Sequence, residues 1–386
     1  MTQSLTKRPP ALNGDGAGVT MGVEEEFLLI DRKTLQPTPR AGAVLRRVKE
    51  ITTGPSGAVT TEVCQSQVES NTGICTSLSE LREQVLAGRT RLSKAAAEQD
   101  AHLISVPLPV TAGPVPHVTD RPLYVTSHQR WKDTIADTEF CGTHIHIGVP
   151  DRETAVHVLN HITPWLPTLL AVTTNSPYHR GRDTGFASWR LITYTRLPCS
   201  GLPPWYPTLA HYEAEQQQLA DTDIWAQGRG GLRLARLSAH WPTIEVRIGD
   251  ACATVHEALL YAALTRGLVH TALRQLEKGR LAPPPDHSLC EAALWTAARH
   301  GLDRAIDPRS GTVLTGRRML AALIEHINPS LEQLGDTATV KELVRLLTSH
   351  GTGADRQRHV TPQTPEAVLH MLTAQTLMNA AAPLLV

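Results

Sequence analysis

The chain has 386 residues, of which 41% are hydrophobic, and carries 37 Lys plus Arg against 37 Asp plus Glu, for a formal net charge of zero. That length and apolar content supply a sizeable core, as one large domain or two smaller ones. The neutral balance removes bulk electrostatics as a reason to bind nucleic acid or membrane, and points to small-molecule substrates or a protein partner.

Residues 1–18 are polar and rich in Gly and Pro, and are expected to form a disordered arm before a single domain over 19–386. The arm has no apolar signal region, and its GDGAG lacks the preceding strand and following helix of a nucleotide loop. Met21–Asp31 reads as a strand, Ala41–Glu50 as a short helix and Val59–Thr72 as β-prone. Ser77 with Glu80 forms a capping box, and Leu78, Leu81 and Val85 follow at helical spacing. His102–Val110 reads as a strand and 111–122 as a loop. Phe140–Val149 is a further strand, after which Asp151 caps an apolar helix that Pro164 and Pro167 should bend or break. Residues 173–207 carry little regular pattern. A helix is expected over 208–220, a strand over Thr243–Gly249, and mostly helix from Val255, with loops near 280–288, 306–312 and 351–364.

The last apolar stretch, AVLHMLTAQTLMNAAAPLLV, is interrupted by His370, Gln375 and Asn379 and reads as a packed helix, not a membrane span. The six cysteines include no CxxC pair, which argues against structural zinc; a cytoplasmic protein with reduced thiols is expected. Strands gather in the first two-thirds and helices in the last third, which favours α+β with an antiparallel sheet over a doubly wound parallel one.

Five segments could carry chemistry. In GVEEEFLLID, alternation puts Glu24 and Glu26 on one strand face and Glu25 on the other. Two same-face carboxylates repel unless a cation lies near, although a solvated edge strand would also explain them. Glu62 and Glu69 can share a site only if the chain turns near Cys64–Ser66. In GTHIHIGV, His144 and His146 share a face with Gly148, which suits a metal or phosphate site or merely local hydrogen bonding. In PTIEVRIGD, Glu245 and Arg247 share a face as a salt bridge or an anion clamp. NSPYHRGRDTGFASWR crowds Asp183, Ser188 and Arg190 into an irregular stretch, and GTGADRQRHV with Arg356 is a weaker parallel. The chain has no P-loop, GxSxG elbow or HExxH.

Taken in order, GVEEEFLLID, QVESNTGIC, CGTHIHIGV, NSPYHRGRDTGFASWR and PTIEVRIGDA resemble the bacterial carboxylate–amine ligases related to glutamate–cysteine ligase, the type 2 or YbdK-like group. The resemblance runs from about Gly22 to the GTGADRQR stretch. It implies the fold of the glutamine synthetase and guanido kinase catalytic domains, a curved antiparallel sheet with helices on its convex face. It implies an activity that uses ATP and two or three Mg2+ ions to make an acyl phosphate, by default on the γ-carboxylate of glutamate, which an amine, by default that of cysteine, then attacks. By the family pattern the metal shell is Glu24, Glu26, Glu62, Glu69, His144 and Glu245. Arg247, His146 and Arg356 are expected at the nucleotide, Arg190, Asp183 and Ser188 at the substrate, and Arg247 and Arg190 are the catalytic candidates. The segment around Trp225, Arg233 and Arg236 departs from the family pattern, as does ALWTAARHGL although its Arg299 is kept, so the substrate pair is open. The alternatives are a ligase joining a different pair, a non-catalytic binding protein, and a metal-dependent hydrolase. A homodimer is compatible with the family's habit and with the apolar C-terminal helices; no nucleic-acid or membrane partner is expected.

Overall fold

The computed structural model describes residues 16–51, 57–136, 139–222, 224, 231–360 and 363–377. In chain order its first elements are β1 (Met21–Asp31), α1 (Ala41–Ile51), β2 (Val59–Thr61), β3 (Gln67–Asn71), α2 (Leu78–Ala97), β4 (Ala101–Ile104), α3 (Pro122–Trp131) and β5 (Thr143–Gly148). Then come α4 (Arg152–Ile162), α5 (Leu166–Thr173), the hairpin β6 (Tyr178–His179) and β7 (Arg182–Asp183), α6 (Trp189–Tyr194), α7 (Leu209–Asp221), β8 (Ala235–Leu237) and β9 (Thr243–Val246). The remainder is α8 (Val255–Glu277), α9 (His287–His300), the hairpin β10 (Ala305–Ile306) and β11 (Val313–Leu314), α10 (Gly316–Leu334), α11 (Thr337–His350), α12 (Gly353–His359) and α13 (Pro365–Thr376).

Seven strands form one sheet in the order β2-β3-β1-β5-β9-β8, with β4 pairing the far end of β1. Every pairing is antiparallel, as the segregation of strands and helices predicts. Alternation sorts the side chains. Val23, Ile145, Ile147, Ile244 and Val246 join one core with the apolar faces of α2, α4 and α8. Phe27 and Leu29 pack with α1 and α2 in a second cluster. On the opposite face the polar residues of β1 give way after Glu26 to Leu28 and Ile30, which pack with Val368, Leu369 and Leu372 of α13. The polar face is therefore confined to the first half of β1 and its neighbours.

Local signals account for most element ends. Ser77 accepts from Glu80 N, but the Glu80 carboxylate reaches back to Thr76 N and not to the N-cap, so the box is displaced by one residue. Asp151 caps α4 through Thr154 N. Pro164 and Pro167 divide the apolar run into α4, a 3-10 turn at Thr163–Trp165 and α5.

Other expectations shift. The strand expected over His102–Val110 covers only Ala101–Ile104, since the prolines that follow cannot continue a ladder. The loop expected over 351–364 contains α12, opened by a full capping box between Thr352 and Asp355. Residues 1–15 of the expected arm lie outside the described residues, while Gly16–Gly18 form a turn in which Gly18 N donates to Gly148 O at 2.7 Å. No helix among the described residues is long and apolar enough to cross a membrane.

Candidate active site

The register of the central strands builds the site. Glu24 lies opposite Asn71 on β3 and His144 on β5, Glu26 lies opposite Glu69, and His146 lies opposite Glu245 on β9. Same-face residues on four neighbouring strands, β3, β1, β5 and β9, thus meet without any loop having to bring them together.

Two groups of donor atoms result, each with all its atoms within 4.8 Å of one another: Glu24, His146 and Glu245, and Glu26, Glu62 and Glu69. Glu62 reaches the second because the chain turns between β2 and β3, with Gln67 N donating to Cys64 O at 2.9 Å. That is the turn near Cys64–Ser66 that the seven-residue spacing requires.

His146, expected at the nucleotide, takes the place in the first group expected for His144. Its Nδ1 is fixed by Thr243 Oγ1 at 2.9 Å, and its Nε2 lies 3.2 Å from Glu24 Oε1. His144 sits behind, with Nδ1 at 3.1 Å from Glu24 Oε2 and 3.3 Å from Arg247 Nη1, and Nε2 at 3.8 Å from Glu26 Oε1. Both imidazoles share a face, so sequence alternation cannot choose between them; only the pairing of β5 with β9 does.

The electrostatics of the two groups differ. Burial presses the Glu24 carboxyl upward, but hydrogen bonds with His144 and His146 overcome it and hold the group well below the usual carboxylate range. Glu245 is likewise held low against burial by Arg247 and Arg236. Arg236 pairs with both its oxygens at 2.9 and 3.0 Å, and Arg247 Nη1 contacts it too. Burial and the Arg247 charge push His144 down to about 4, so it is neutral at pH 7. In the second group burial, then repulsion from Glu69, raises Glu26 to about 7, and Glu62 and Glu69 are also pushed up, burial first. Burial and mutual repulsion thus press these carboxyls toward their protonated forms, a cost that a cation among them would remove.

The donor set fits a small hard dication. It offers carboxylate oxygens with one imidazole and no thiolate, which suits Mg2+ or Mn2+ better than zinc. The ring Nε2 of His146 faces the Glu24 carboxylate at 3.2 Å while Thr243 fixes its Nδ1, the orientation in which that nitrogen would meet a metal held with Glu24 and Glu245.

A cavity of about 130 Å³ adjoins the second group, with Glu26, Glu62, His144, Arg190 and Arg247 in its wall. Arg190 is 2% exposed and stacks over Tyr194 at 5.4 Å.

Three other expected residues lie elsewhere. Asp183 forms a bidentate pair with Arg358 at 2.7 and 2.9 Å on the β6–β7 hairpin. Ser188 caps α6 and donates to Asp250 at 2.8 Å. Arg356 ties α12 to α8 through Glu257 at 2.8 Å and to Gln375 at 3.1 Å. These are links between elements, and their local polar sequence did not distinguish them from ligand-binding groups. Arg236, which the sequence left unaligned, belongs to the site; its position opposite Glu245 on β8 is the signal that strand pairing supplies. Trp225 lies outside the described residues. Glu25, on the helix side of β1, pairs with Arg89 of α2 at 2.7 Å.

Comparison with known proteins bears on this geometry. The model of glutamate–cysteine ligase family 2 matches residues 20–370. A Saccharopolyspora erythraea protein named, provisionally, glutamate–cysteine ligase 2-2 is 42% identical over 381 residues, covering 97% of this chain and 96% of that protein. A Nocardia farcinica protein named in the same way as glutamate–cysteine ligase 2-1 is 40% identical over 368 residues, 94% of each. Among solved structures, a glutamate–cysteine ligase from Francisella tularensis in complex with AMP superposes with a TM-score of 0.66 at 12% identity, covering 94% of this chain and 89% of that one. A bifunctional glutathione synthetase from Pasteurella multocida gives 0.59 at 13%, with 92% of this chain and 52% of that one. At such identities the likeness is one of fold, and it bears out the glutamine synthetase-like α+β expectation.

Proposed function

The chain belongs to glutamate–cysteine ligase family 2, and from that premise we propose that it is an ATP- and Mg2+-dependent carboxylate–amine ligase. The γ-phosphoryl group of ATP passes to a carboxylate, by default the γ-carboxylate of glutamate, and an amine, by default that of cysteine, displaces phosphate to leave an amide. The observation that carries this reading is the pair of carboxylate-rich groups on one sheet face with Arg247 beside them.

In this reading Glu24, His146 and Glu245 hold one dication and Glu26, Glu62 and Glu69 another. Ions held there would supply the positive charge that neutralises phosphate oxygens. His144, neutral and hydrogen-bonded to Glu24, orients that carboxylate. Arg247, its charge secured by Glu245 in spite of burial, faces the transferred phosphoryl group. Arg190 binds a substrate carboxylate. The burial of Glu26, Glu69, His144, His146 and Glu245 lowers the local dielectric, which strengthens each of these contacts.

The test is ADP release with ATP, Mg2+, glutamate and a panel of amines. ADP formation that requires both an acid and an amine is the expected result. No ADP with any pair, together with no ATP-induced rise in melting temperature, overturns the reading.

A further inference from the structure

Arg190 is a buried cation with a thin shell. Its Nη1 and Nη2 reach only the carbonyls of Ile248 and Arg247 at 3.4 and 3.3 Å, and its Nε has no hydrogen-bond partner among the described residues. The nearest carboxylate, Asp250, stands 3.8 Å from Nη1 and already accepts from Asn175 N, Ser176 and Ser188. Gly142 leaves the room the guanidinium occupies, since a Cβ there would lie 2.5 Å from Nη2. A desolvated guanidinium so poorly paired is completed by an anion, most favourably a carboxylate or phosphate that meets it with two oxygens.

Besides its charged groups and Cys64, Gln67 and His128, the cavity wall is mainly apolar. Trp131, Ile135, Phe140, Tyr194, Leu197 and Leu232 line it. Trp131 spends its indole N–H on Ile224 O at 3.2 Å, and Phe140 meets Tyr194 edge-on at 5.7 Å, so both offer apolar ring surface. The volume, about 130 Å³, is close to that of a cavity that takes up benzene, roughly 150 Å³.

We propose that this cavity binds the amine substrate and selects an amino acid with a bulky apolar side chain, whose own carboxylate pairs with Arg190. The inference rests on the ligase reading and names its substrate class. An amino acid with one carboxylate, held by that carboxylate, cannot be the acid that is phosphorylated; it presents its amine. In the step that follows, the neutral amine nitrogen bonds to the acyl carbon and the C–O bond to phosphate breaks. One N–H proton leaves with the phosphate, so that the acyl phosphate dianion and the primary amine give the secondary amide and hydrogen phosphate dianion, with atoms and charge conserved. A cysteine side chain leaves much of the apolar wall uncovered, and each further buried methylene is worth a factor of roughly four in binding, from about 0.8 kcal/mol.

Calorimetric binding to the full-length protein tests the subsite, and ADP release tests the ligase. L-Leucine and L-phenylalanine should bind at least ~10-fold more tightly than L-cysteine. Isopentylamine, which is leucine without its carboxylate, should bind at least ~10-fold more weakly than leucine, because the Arg190 pairing is lost. Leu197→Trp, which fills the cavity, should weaken leucine at least ~10-fold. Cysteine binding as well as leucine overturns the apolar selection, and isopentylamine binding as well as leucine overturns the Arg190 contact. Leucine affinity unchanged in Leu197→Trp removes the ligand from this cavity; the two ligand comparisons stand even if that variant does not fold. Tight leucine binding without ADP release under any acid leaves the subsite standing and sinks the ligase.

Discussion

Glu24, Glu25 and Glu26 are consecutive on one strand, yet they belong to two regions with opposite electrostatic logic. Glu25 and Arg89 are both buried, and everything the guanidinium can donate is used: both Glu25 oxygens at 2.7 and 3.1 Å, and the carbonyls of Cys252, Ala253 and Thr376 at 2.8, 3.1 and 3.1 Å. One saturated ion pair binds β1, α2, the segment before α8 and the end of α13. One residue away on either side, carboxyls crowd other carboxyls, the Nε atoms of Arg190 and Arg247 lack hydrogen-bond partners among the described residues, and Glu26 is forced toward its protonated form. Around Glu25 the protein itself satisfies the buried charge, whereas around Glu24 and Glu26 it leaves a conflict that a bound cation would resolve.

Removing one member from each region should separate them. Arg89→Ala leaves Glu25 buried and unpaired and should cost ~3–5 kcal/mol of stability, seen as a large fall in melting temperature or loss of soluble protein. A variant that melts as the parent does would mean that the pair is not structural. Glu24→Gln and Glu245→Gln should instead cut ADP release by ~10²–10³-fold, Glu24→Gln melting within a few degrees of the parent and Glu245→Gln somewhat lower because Arg247 loses its carboxylate, but both folded. Unfolding in either would place that residue with Glu25 and dissolve the contrast.

A finer cut lies inside the site. His146→Gln removes a proposed ligand and His144→Gln an orienting partner. Each should weaken divalent-ion binding by ~10–100-fold, measured by titration of Mg2+ or Mn2+, with His146 the larger of the two. The reverse order would restore His144 to the ligand set.

How much of this was legible beforehand follows from what each residue needs to be read. Strand alternation alone separates Glu24 and Glu26 from Glu25, because the period of two is local. The turn joining Glu62 to Glu69 is also readable, since an odd spacing cannot share a face without one. The choice of His146 over His144, and the inclusion of Arg236, depend on the register of β5, β8 and β9, which sequence spacing does not carry. The role of Glu25 waits on a partner 64 residues away. Asp183, Ser188 and Arg356 stand apart for the converse reason: a polar, Arg-rich stretch looks the same whether its charges meet a ligand or one another. For α12 a local signal was present, since TGAD is a capping box, and the glycines around it made the stretch read as loop.

The smallest expected effect is also the sharpest test of frustration, because its sign is the reverse of what a stabilising carboxylate would give. With divalent ions chelated, Glu26 in the folded protein titrates near 7, against about 4.3 in the unfolded chain. Below about pH 4 both states are protonated and the group contributes nothing to the difference. Between about 4.3 and 7 the folded state holds a proton that the unfolded state has released, so stability falls as pH rises through that window and stays low above it. Glu26→Gln cannot ionise and should escape this loss. At about pH 8 in chelator it should be more stable than the parent by ~1–2 kcal/mol, while at about pH 4 the two should match. Saturating Mg2+ should close the gap at the higher pH by stabilising the parent alone, because the cation takes the place of the missing proton. Denaturant melts at the two pH values, with and without Mg2+, measure all four corners. A variant less stable than its parent at the higher pH without metal would show that Glu26 already has its partner in the protein, as Glu25 does, and that the two faces of β1 are alike.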